Sequence, residues 1–389
     1  MTRILTAGFL PLTDAAPLVV AREMGFAAEE GLDLSLVKAT SWSSLRDYLV
    51  LGKLDAAQML APVPVAGALG LGALGGGMEV ISALNLSGNA ITISIALATE
   101  MRASGYEFDF ADATAAGRAL IALGRPLRIA VPFPFSMHAE LLYYWLEKLG
   151  LAAPQSLSVR TIPPPLMAQA MASDEVDAIC VGEPWGSLAV ENGDGVMLLP
   201  SSAIRQSSIE KVLAVRDGWA DENPDLTRKL LRALWRASTW LDQPDKREVA
   251  AEIMARPDYL GLPVDLVERA LRGVFTISPQ GDLREAPGFL VFGAGAAGFP
   301  WRSQAAWMGM RIAARTGLDQ AEAITAAKAV FRTDIYRNHL RGVGADLPSA
   351  SEKLEGGLDH ATEVASETGR VILAPDRFFD GTVFDPERR

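Results

Sequence analysis

Lys211 is the residue whose type and setting point most directly to chemistry. It lies in the run SSIEKVLAV, and the other segments expected to converge on it carry mostly neutral groups. One ammonium facing amide, indole, hydroxyl and imidazole donors would form a site for a small anion, because a buried cation needs a counter-charge. The structural alternative is a solvated Lys211 paired with Glu210. The first interpretation predicts that this chain binds an anion.

Two candidate donors lie where the backbone can also approach an anion. Trp42 follows Ser41 at a predicted helix start, where free backbone N–H groups and the helix dipole favour negative charge, and its indole N–H can only donate. Asn89 lies between Gly88 and a predicted strand, and its amide can donate. Each has a structural alternative, since Trp at a helix start often packs in the core and Asn beside Gly is common in turns.

Three further candidates come from the middle of the chain. Ser136 and His138 follow FPF at the start of another predicted helix, and an imidazole donates one N–H when neutral and adds charge when protonated. Pro165, in PPPLM, offers no N–H and would form a rigid wall of the cleft or a stiff link between strand and helix.

The segment VGEPW completes the predicted site. Val181 and Gly182 would present backbone to the ligand. Glu183 is expected first as a hinge group, and otherwise as a partner of Lys211 or as the acceptor of a proton from a ligand that carries a hydroxyl.

Composition limits the classes of function. The chain has 389 residues, 49% of them apolar, which is long for one core and favours two lobes with a cleft between them. The formal net charge of −11 argues against direct binding of nucleic acid, because phosphate recognition relies on clustered Lys and Arg. Cys180 is the only cysteine, which excludes an intramolecular disulfide, and its apolar neighbours indicate a core thiol.

The sequence carries no visible catalytic machinery. The three histidines and one cysteine have no zinc-ligand spacing, and there is no Walker loop, nucleophile elbow or dinucleotide fingerprint. The glycine-rich loop at residues 70, 72 and 75–77 lacks the Lys or acidic partner that phosphate or dinucleotide binding requires. We therefore predict no catalytic residue, no metal and no cofactor.

Strand and helix signals alternate through the first two hundred residues. The predicted strands are 4–10, 32–37, 55–59, 80–84, 90–98, 127–131, 158–162, 176–181, 196–199 and 212–215. The predicted helices are 16–23, 42–51, 62–69, 137–149, 226–241, 246–254 and 264–273, with two more between 300 and 340. This order predicts an α/β protein with two lobes of mostly parallel sheet, hinged by crossing strands. Lobe I would comprise residues 1–95 and 207–389, with a helical C-terminal extension, and lobe II residues 96–206.

The beginning of the sequence shows no export signal. MTRILTAGFLPLTDAAP lacks a long apolar core and a small-residue cleavage site, and a strand is predicted to begin almost at Met1. The weakly charged stretch 56–78 contains prolines and glycines that are not typical of a membrane-spanning helix. We expect a cytoplasmic protein without a membrane span, unless a leader has been removed.

Nine runs together resemble the nitrate- and bicarbonate-binding proteins of ABC importers and the related leaderless cytoplasmic nitrate/nitrite sensors. The runs lie between residues 8 and 386 and are FLPLTDAAPLVVARE, SWSSLRD, LDAAQMLAPVP, SGNAITIS, HAELLYYWL, PPPLMAQAM, DAICVGEPW, EKVLAV and FFDGTVFDP. The resemblance implies a type II periplasmic-binding-protein fold that closes around one small ion, with Trp42 at the ligand. Nitrate binders of this family usually have Gln where this chain has Asn89, and the shorter side chain leaves the preference among nitrate, nitrite and bicarbonate open.

The missing leader favours a cytoplasmic sensor of nitrate or nitrite. The resemblance implies an ANTAR-type antiterminator response regulator as partner, held by the unliganded sensor and released when the anion binds. An ion that prefers the closed form would expel a partner that prefers the open form. The alternatives are the substrate-binding component of a nitrate or bicarbonate ABC transporter and, in a different class, a pyrimidine-synthesis-type enzyme on the same fold.

Overall fold

The computed structural model describes residues 4–72, 77–367 and 369–388. The predicted strand start at Met1 and glycines 75 and 76 of the glycine-rich loop lie outside these residues. The strands are β1 (Ile4–Phe9), β2 (Asp33–Lys38), β3 (Ala56–Leu60), β4 (Met78–Ser87), β5 (Asn89–Ser94), β6 (Leu127–Val131), β7 (Leu157–Thr161), β8 (Ala178–Gly182), β9 (Gly195–Pro200), β10 (Ile209–Arg216), β11 (Val274–Thr276), β12 (Leu283–Glu285), β13 (Leu290–Val291), β14 (Thr362–Ser366) and β15 (Gly369–Leu373).

Helices alternate with these strands and dominate the last third of the chain. They are α1 (Ala16–Glu23), α2 (Phe26–Glu29), α3 (Trp42–Val50), α4 (Pro62–Ala68), α5 (Ile95–Ala103), α6 (Ala113–Ala122), α7 (Met137–Lys148), α8 (Met167–Ala172), α9 (Trp185–Glu191), α10 (Ser201–Ile204), α11 (Trp219–Glu222), α12 (Pro224–Leu241), α13 (Lys246–Met254), α14 (Val264–Arg272), α15 (Arg302–Thr316), α16 (Gln320–Val330) and α17 (Thr333–Leu340). Short 3-10 helices cover Thr13–Ala15, Pro164–Leu166 and Ala294–Ala296.

Two sheets form the centres of the two lobes. The first has six strands in the order β13-β4-β10-β3-β1-β2, and the second has five in the order β7-β6-β8-β5-β9. In the first sheet β10 pairs antiparallel with β3 and β4, and the short edge strand β13 pairs antiparallel with β4. In the second sheet β5 pairs antiparallel with β8 and β9. The predicted α/β architecture of two lobes is confirmed, and β5 and β10 are the strands by which the chain enters the other sheet.

The chain passes between the sheets twice. The first crossing is at Gly88, whose φ of 104° lies in the region that favours glycine, and the return runs through α10 between β9 and β10. The predicted crossing strand 90–98 is too long, because the Ser94 side chain accepts a hydrogen bond from Leu97 N–H and starts α5 there. The chain therefore passes from one sheet to the other at residues 87–89 and 200–209. The domain boundaries at 95/96 and 206/207 stay a prediction.

The helical C-terminal extension is confirmed, and the end of the chain packs across lobe II. Phe378 lies 5.7 Å from the Trp307 ring of α15 and 5.2 Å from the Tyr144 ring of α7, between ring centroids. Tyr144 Oη also donates a hydrogen bond to Asp380 Oδ1 at 2.8 Å. The aromatic tail thus packs as a strap against α7 and α15. Across the part of the chain that the structure describes, no helix has both the length and the apolar character needed to cross a membrane.

Candidate functional site

Lys211 lies on β10 between the two lobes, and its side chain is 0% exposed. Its Nζ is 2.8 Å from Asp14 Oδ2 and 3.0 Å from Glu210 Oε1. The ammonium is therefore buried and paired with two carboxylates, which excludes the solvated alternative. A buried ammonium requires such partners, because desolvation of an unpaired charge costs several kcal/mol.

We call Lys211 and the buried side chains around it the Lys211 cluster, which comprises Asp14, Trp42, Asn89, His138 and Glu210. An irregularity in β10 explains why two consecutive residues, Glu210 and Lys211, both belong to this cluster. In a regular strand Glu210 and Lys211 would point to opposite faces. The pairing of β10 with β4 shifts its register on both sides of Lys211, so that Glu210 has no partner residue in that ladder. Such a bulge redirects side chains, and here it brings the glutamate back beside the lysine.

Asp14 is held in place by a second buried polar residue. Gln58 Nε2 donates to Asp14 Oδ1 at 2.5 Å, and Gln58 Oε1 accepts from the backbone N–H of Leu10 at 2.9 Å. Asp14, Gln58 and Glu210 were missed as site residues by the sequence analysis. The available signal was their position, because Asp14 and Gln58 are polar residues within otherwise apolar runs that are expected to be buried.

Trp42 forms one wall of the cluster. Its ring centroid is 5.7 Å from Lys211 Nζ, within the range of a cation–π contact, and the residue is 2% exposed. The indole N–H has no hydrogen-bond partner among the described residues. The predicted helix start is confirmed, since Ser41 Oγ accepts from Ser44 N–H at 3.1 Å. Trp42 thus packs in the core and also holds an unused donor beside the ammonium.

His138 and Asn89 supply further unused polar atoms. His138 Nδ1 is 3.3 Å from Glu210 Oε1, and neither ring nitrogen makes a hydrogen bond with the described residues. Asn89 is opposite Gly182 in the ladder of β5 and β8, is fully buried, and has no hydrogen-bond partner for either amide atom there. Buried polar atoms are almost always satisfied, so this group of open donors indicates a polar ligand.

Gly182 allows the strands to approach the cluster closely. A Cβ atom at this position would lie 2.8 Å from Leu12 Cδ2 and 3.4 Å from both Asn89 Oδ1 and Asp14 Oδ2. The neighbouring Val181 pairs with Ala90 in the same ladder. The structure therefore places Gly182 with the cluster, as the sequence analysis predicted.

Three other predicted residues are engaged elsewhere. Ser136 Oγ donates to Phe133 O at 2.8 Å and accepts from Ala139 N–H at 3.2 Å, so its hydroxyl caps α7. Glu183 Oε2 accepts from Ser187 N–H at 3.2 Å, within the first turn of α9. Pro165 is half-buried in the 3-10 helix that leads into α8. Direct contact of these three with a ligand stays a prediction.

The lobes touch each other next to the cluster. The backbone N–H and the hydroxyl of Thr13 both donate to Glu183 O, at 2.9 and 3.0 Å. Trp185 Nε1 donates to Pro11 O at 2.8 Å. Residues 11–13 belong to the first lobe and Glu183 and Trp185 to the second, so these bonds hold the cleft closed. Glu183 acts in this contact through its carbonyl oxygen, and its predicted role as a hinge group stays a prediction.

Burial sets the protonation of the cluster. It raises the pKa of Glu210 to about 7, against the opposing effect of Lys211, and it also raises the pKa of Asp14. Burial alone would lower the pKa of Lys211, but Asp14 and Glu210 outweigh it and the pKa is raised. Burial and the Lys211 charge hold the pKa of His138 well below its usual value, so the imidazole is neutral. The cluster thus contains a permanent ammonium and a neutral imidazole.

The site has the character of a binding site. Within residues 4–72, 77–367 and 369–388, no group of three or more His, Cys, Asp or Glu side chains is arranged to hold a metal ion. Cys180 is buried beside the cluster, its Sγ is 3.7 Å from the carbonyl oxygen of His138, and burial raises the pKa of the thiol. A buried thiol of raised pKa is a poor nucleophile, so it fits the predicted core role.

Comparison with known sequences gives relatives that match most of the chain. The nitrate/nitrite binding protein NrtA of Synechococcus elongatus is 30% identical over 395 residues, which cover 98% of this chain and 84% of the relative. The bicarbonate-binding protein CmpA of the same organism is 26% identical over 411 residues, which cover 99% of this chain and 84% of the relative.

Solved structures support the fold. The periplasmic nitrate-binding protein NrtA from Synechocystis PCC 6803 superimposes with a TM-score of 0.84 at 25% identity, over 99% of this chain and 96% of that one. The alkanesulfonate-binding protein SsuA from Xanthomonas axonopodis pv. citri, bound to MOPS, has a TM-score of 0.57 at 17% identity, over 82% and 97% of the two chains, and this likeness shows the fold alone. The predicted periplasmic-binding-protein fold is confirmed.

A family model agrees with these relatives. The model of the NMT1-like family matches residues 2–255, which include β1 to α13 and every residue of the Lys211 cluster. The chain belongs to the NMT1-like family.

Proposed function

We propose that this protein binds nitrate or nitrite in the closed cleft, against Lys211. The observation that carries the proposal is a fully buried ammonium beside open donors on Trp42, His138 and Asn89. Nitrate and nitrite have only acceptor oxygens, so a set of N–H donors around one cation is complementary to them. The relatives named nitrate/nitrite binding protein and periplasmic nitrate-binding protein support the same ligand.

We place this binding in anion import, as the substrate-binding component of an ABC-type transporter. Two kinds of relative support this role: NrtA, and the nitrate import ATP-binding protein NrtC of Synechocystis, which is 31% identical over 87% of this chain and 50% of its own length. The hydrogen bonds of Thr13 and Trp185 across the cleft provide the closed state that a transporter would distinguish from the open one. A binding protein of this kind needs no catalytic group.

The test is calorimetry with nitrate, nitrite, bicarbonate and taurine. Nitrate or nitrite should bind with one site per chain, bicarbonate more weakly, and taurine not at all. Lys211→Met should weaken nitrate binding at least about a hundredfold, since a buried charge pair with an anion is worth about 3 kcal/mol or more. Lys148→Met, which removes a partly exposed lysine of α7, should leave the affinity within about twofold.

Two results would contradict the proposal. One is taurine or a larger organic anion binding more tightly than nitrate. The other is nitrate binding that survives Lys211→Met in a protein that circular dichroism shows to be folded.

The cytoplasmic sensor is the alternative role for the same binding site. In it, the unliganded protein holds an RNA-binding ANTAR-type antiterminator and nitrate releases it. A pull-down with such a response regulator distinguishes the two roles: a complex that nitrate dissociates favours the sensor, and a complex that ignores nitrate, or no complex, favours the transporter component.

A further inference from the structure

The Lys211 cluster contains more acidic groups than basic ones. Around the single ammonium lie Asp14 Oδ2 at 2.8 Å and Glu210 Oε1 at 3.0 Å, and all three side chains are at most 1% exposed. With both carboxylates ionised the cluster carries one net negative charge. Adding a monovalent anion would then bring two uncompensated negative charges into a buried volume, which is strongly unfavourable.

The two carboxyl groups of the cluster differ in how firmly their neighbours hold them. Asp14 is fixed by the amide of Gln58 and by the shorter contact with Lys211. Glu210 has one oxygen near Lys211 and His138, whereas its buried Oε2 makes no hydrogen bond of good geometry with the described residues, although the nearby Asn89 amide opposes the rise in the pKa of Glu210. A buried carboxylate that is weakly hydrogen-bonded is poorly stabilised in its charged form, which favours a proton on Glu210.

The titratable groups that face Glu210 come from four elements. Lys211 lies beside it on β10, Asp14 on the 3-10 helix 13–15, His138 on α7 and Cys180 on β8. Burial lowers the pKa of His138, with Lys211 adding to this, and burial raises the pKa of the Cys180 thiol, so neither is charged near pH 7. Burial raises the pKa of Glu210 to about 7, within the physiological range, and Asp14 is the other carboxyl group of the cluster whose pKa burial raises.

We propose that Glu210 takes up a proton together with the anion, and that the resulting carboxylic acid donates a hydrogen bond to an oxygen of the bound ligand. This inference rests on the proposed function, and it adds the proton as a second ligand of the same site. No covalent bond changes: the proton moves from solvent or buffer to Glu210 Oε2 and returns when the anion leaves.

The direction of the pH dependence follows from linkage. Burial raises the pKa of Glu210 to about 7, and a bound anion raises it further because it disfavours the carboxylate. The anion therefore prefers the protonated form, and affinity is highest below pH 7 and falls as the pH rises. For a free pKa near 7 and a higher bound pKa, nitrate should bind about tenfold more weakly at pH 8 than at pH 6.

The number of protons taken up tests the proposal on the unmodified protein. Nitrate titrations are run at pH 6 and pH 8, each in two buffers of different ionisation enthalpy, and the difference in heat gives protons bound per nitrate. We expect about 0.9 proton at pH 8 and about 0.1 at pH 6. Nitrate binding without proton uptake at pH 8 would overturn the inference and leave the proposed function intact. Absence of nitrate binding at both pH values contradicts the proposed function itself.

Two glutamate variants locate the proton. Glu210→Gln keeps a donor and removes the titration, so its nitrate affinity should be equal at pH 6 and pH 8 with no proton uptake. Glu140→Gln is the matched control, because Glu140 is also buried with a pKa raised by burial, but its carboxylate pairs with Arg315 at 2.6 Å. This control should keep the uptake of the unmodified protein. Proton uptake that persists in Glu210→Gln assigns the proton to another group and overturns the proposal.

Discussion

Single residues of the cluster combine packing with binding, and Trp42 shows this most clearly. Its ring is buried in the core near Lys211, and its indole N–H is left without a partner among the described residues. A tryptophan that served only the core would normally satisfy this donor when buried. The two roles can therefore be separated by removing the N–H and keeping an aromatic ring.

Trp42→Phe should weaken nitrate binding by about five- to twentyfold, because one hydrogen bond to a charged acceptor is worth about 1–2 kcal/mol. Calorimetry at pH 6.5 gives the affinity. Trp42→Leu removes both the indole N–H and the aromatic ring and serves for comparison. It should bind nitrate no more tightly than Trp42→Phe. An unchanged nitrate affinity in Trp42→Phe would mean that Trp42 is only a core residue.

The sequence predicted part of this cluster. Five residues of the site were predicted from their type and position, and the structure brings them together: Lys211, Trp42, Asn89, His138 and Gly182. Glu210 was considered only as a solvent-exposed partner of Lys211, because neighbouring side chains of a strand point to opposite faces. The bulge in β10 breaks this alternation, and it has no local sequence signal. Ser136 was a candidate donor because sequence alone does not show that its hydroxyl both donates to Phe133 O and accepts from Ala139 N–H at the start of α7.

At the scale of elements, helix starts position the site. α3 begins at Trp42 because Ser41 caps it, and α7 begins beside His138 because Ser136 caps it. These starts were predictable, since Ser before an amphipathic run is a known signal. The strand predicted at 90–98 is confirmed only up to Ser94, because Ser94 was not considered as a cap and the apolar residues after it belong to α5.

Ser41→Ala should lower the free energy of unfolding by about 1 kcal/mol, the usual cost of losing an N-cap. It should also weaken nitrate binding modestly, because Trp42 is the first residue of the helix. Urea denaturation followed by circular dichroism measures the first effect. Ser41→Asp keeps an acceptor for Ser44 N–H and should restore most of the stability, whereas equal losses in both variants would show that the cap is not the cause.

At the scale of the whole molecule, the C-terminal part of the chain packs against the segment at residues 200–209, where the chain returns from the second sheet to the first. Arg205, at the end of α10, is 1% exposed and its Nη2 is 2.7 Å from Glu355 Oε2. Its guanidinium lies 4.8 Å from the Trp307 ring centroid and 4.7 Å from that of Phe378. The aromatic residues of the tail are typical of a packed segment. The pairing of Arg205 with Glu355 could not be predicted, because the two residues are 150 positions apart in the sequence.

Arg205→Met should lower the free energy of unfolding by about 3–5 kcal/mol, because it leaves the buried Glu355 without one of its cationic partners. Thermal and urea denaturation measure this loss. Arg228→Met removes an arginine of α12 whose partner Asp225 is exposed, and it should cost less than about 1 kcal/mol. Similar losses in the two variants would argue against a structural role for the buried pair at the crossing.

The central claim is that a small oxyanion binds against Lys211 inside the closed cleft, and a crystal structure of the protein with nitrate tests it most directly. The account predicts planar density for one nitrate, with oxygens at about 2.7–3.2 Å from Lys211 Nζ and from the Trp42 indole nitrogen. Nitrate located only outside the cleft, or a cleft at saturating nitrate in which Lys211 still contacts only Asp14 and Glu210, would contradict it.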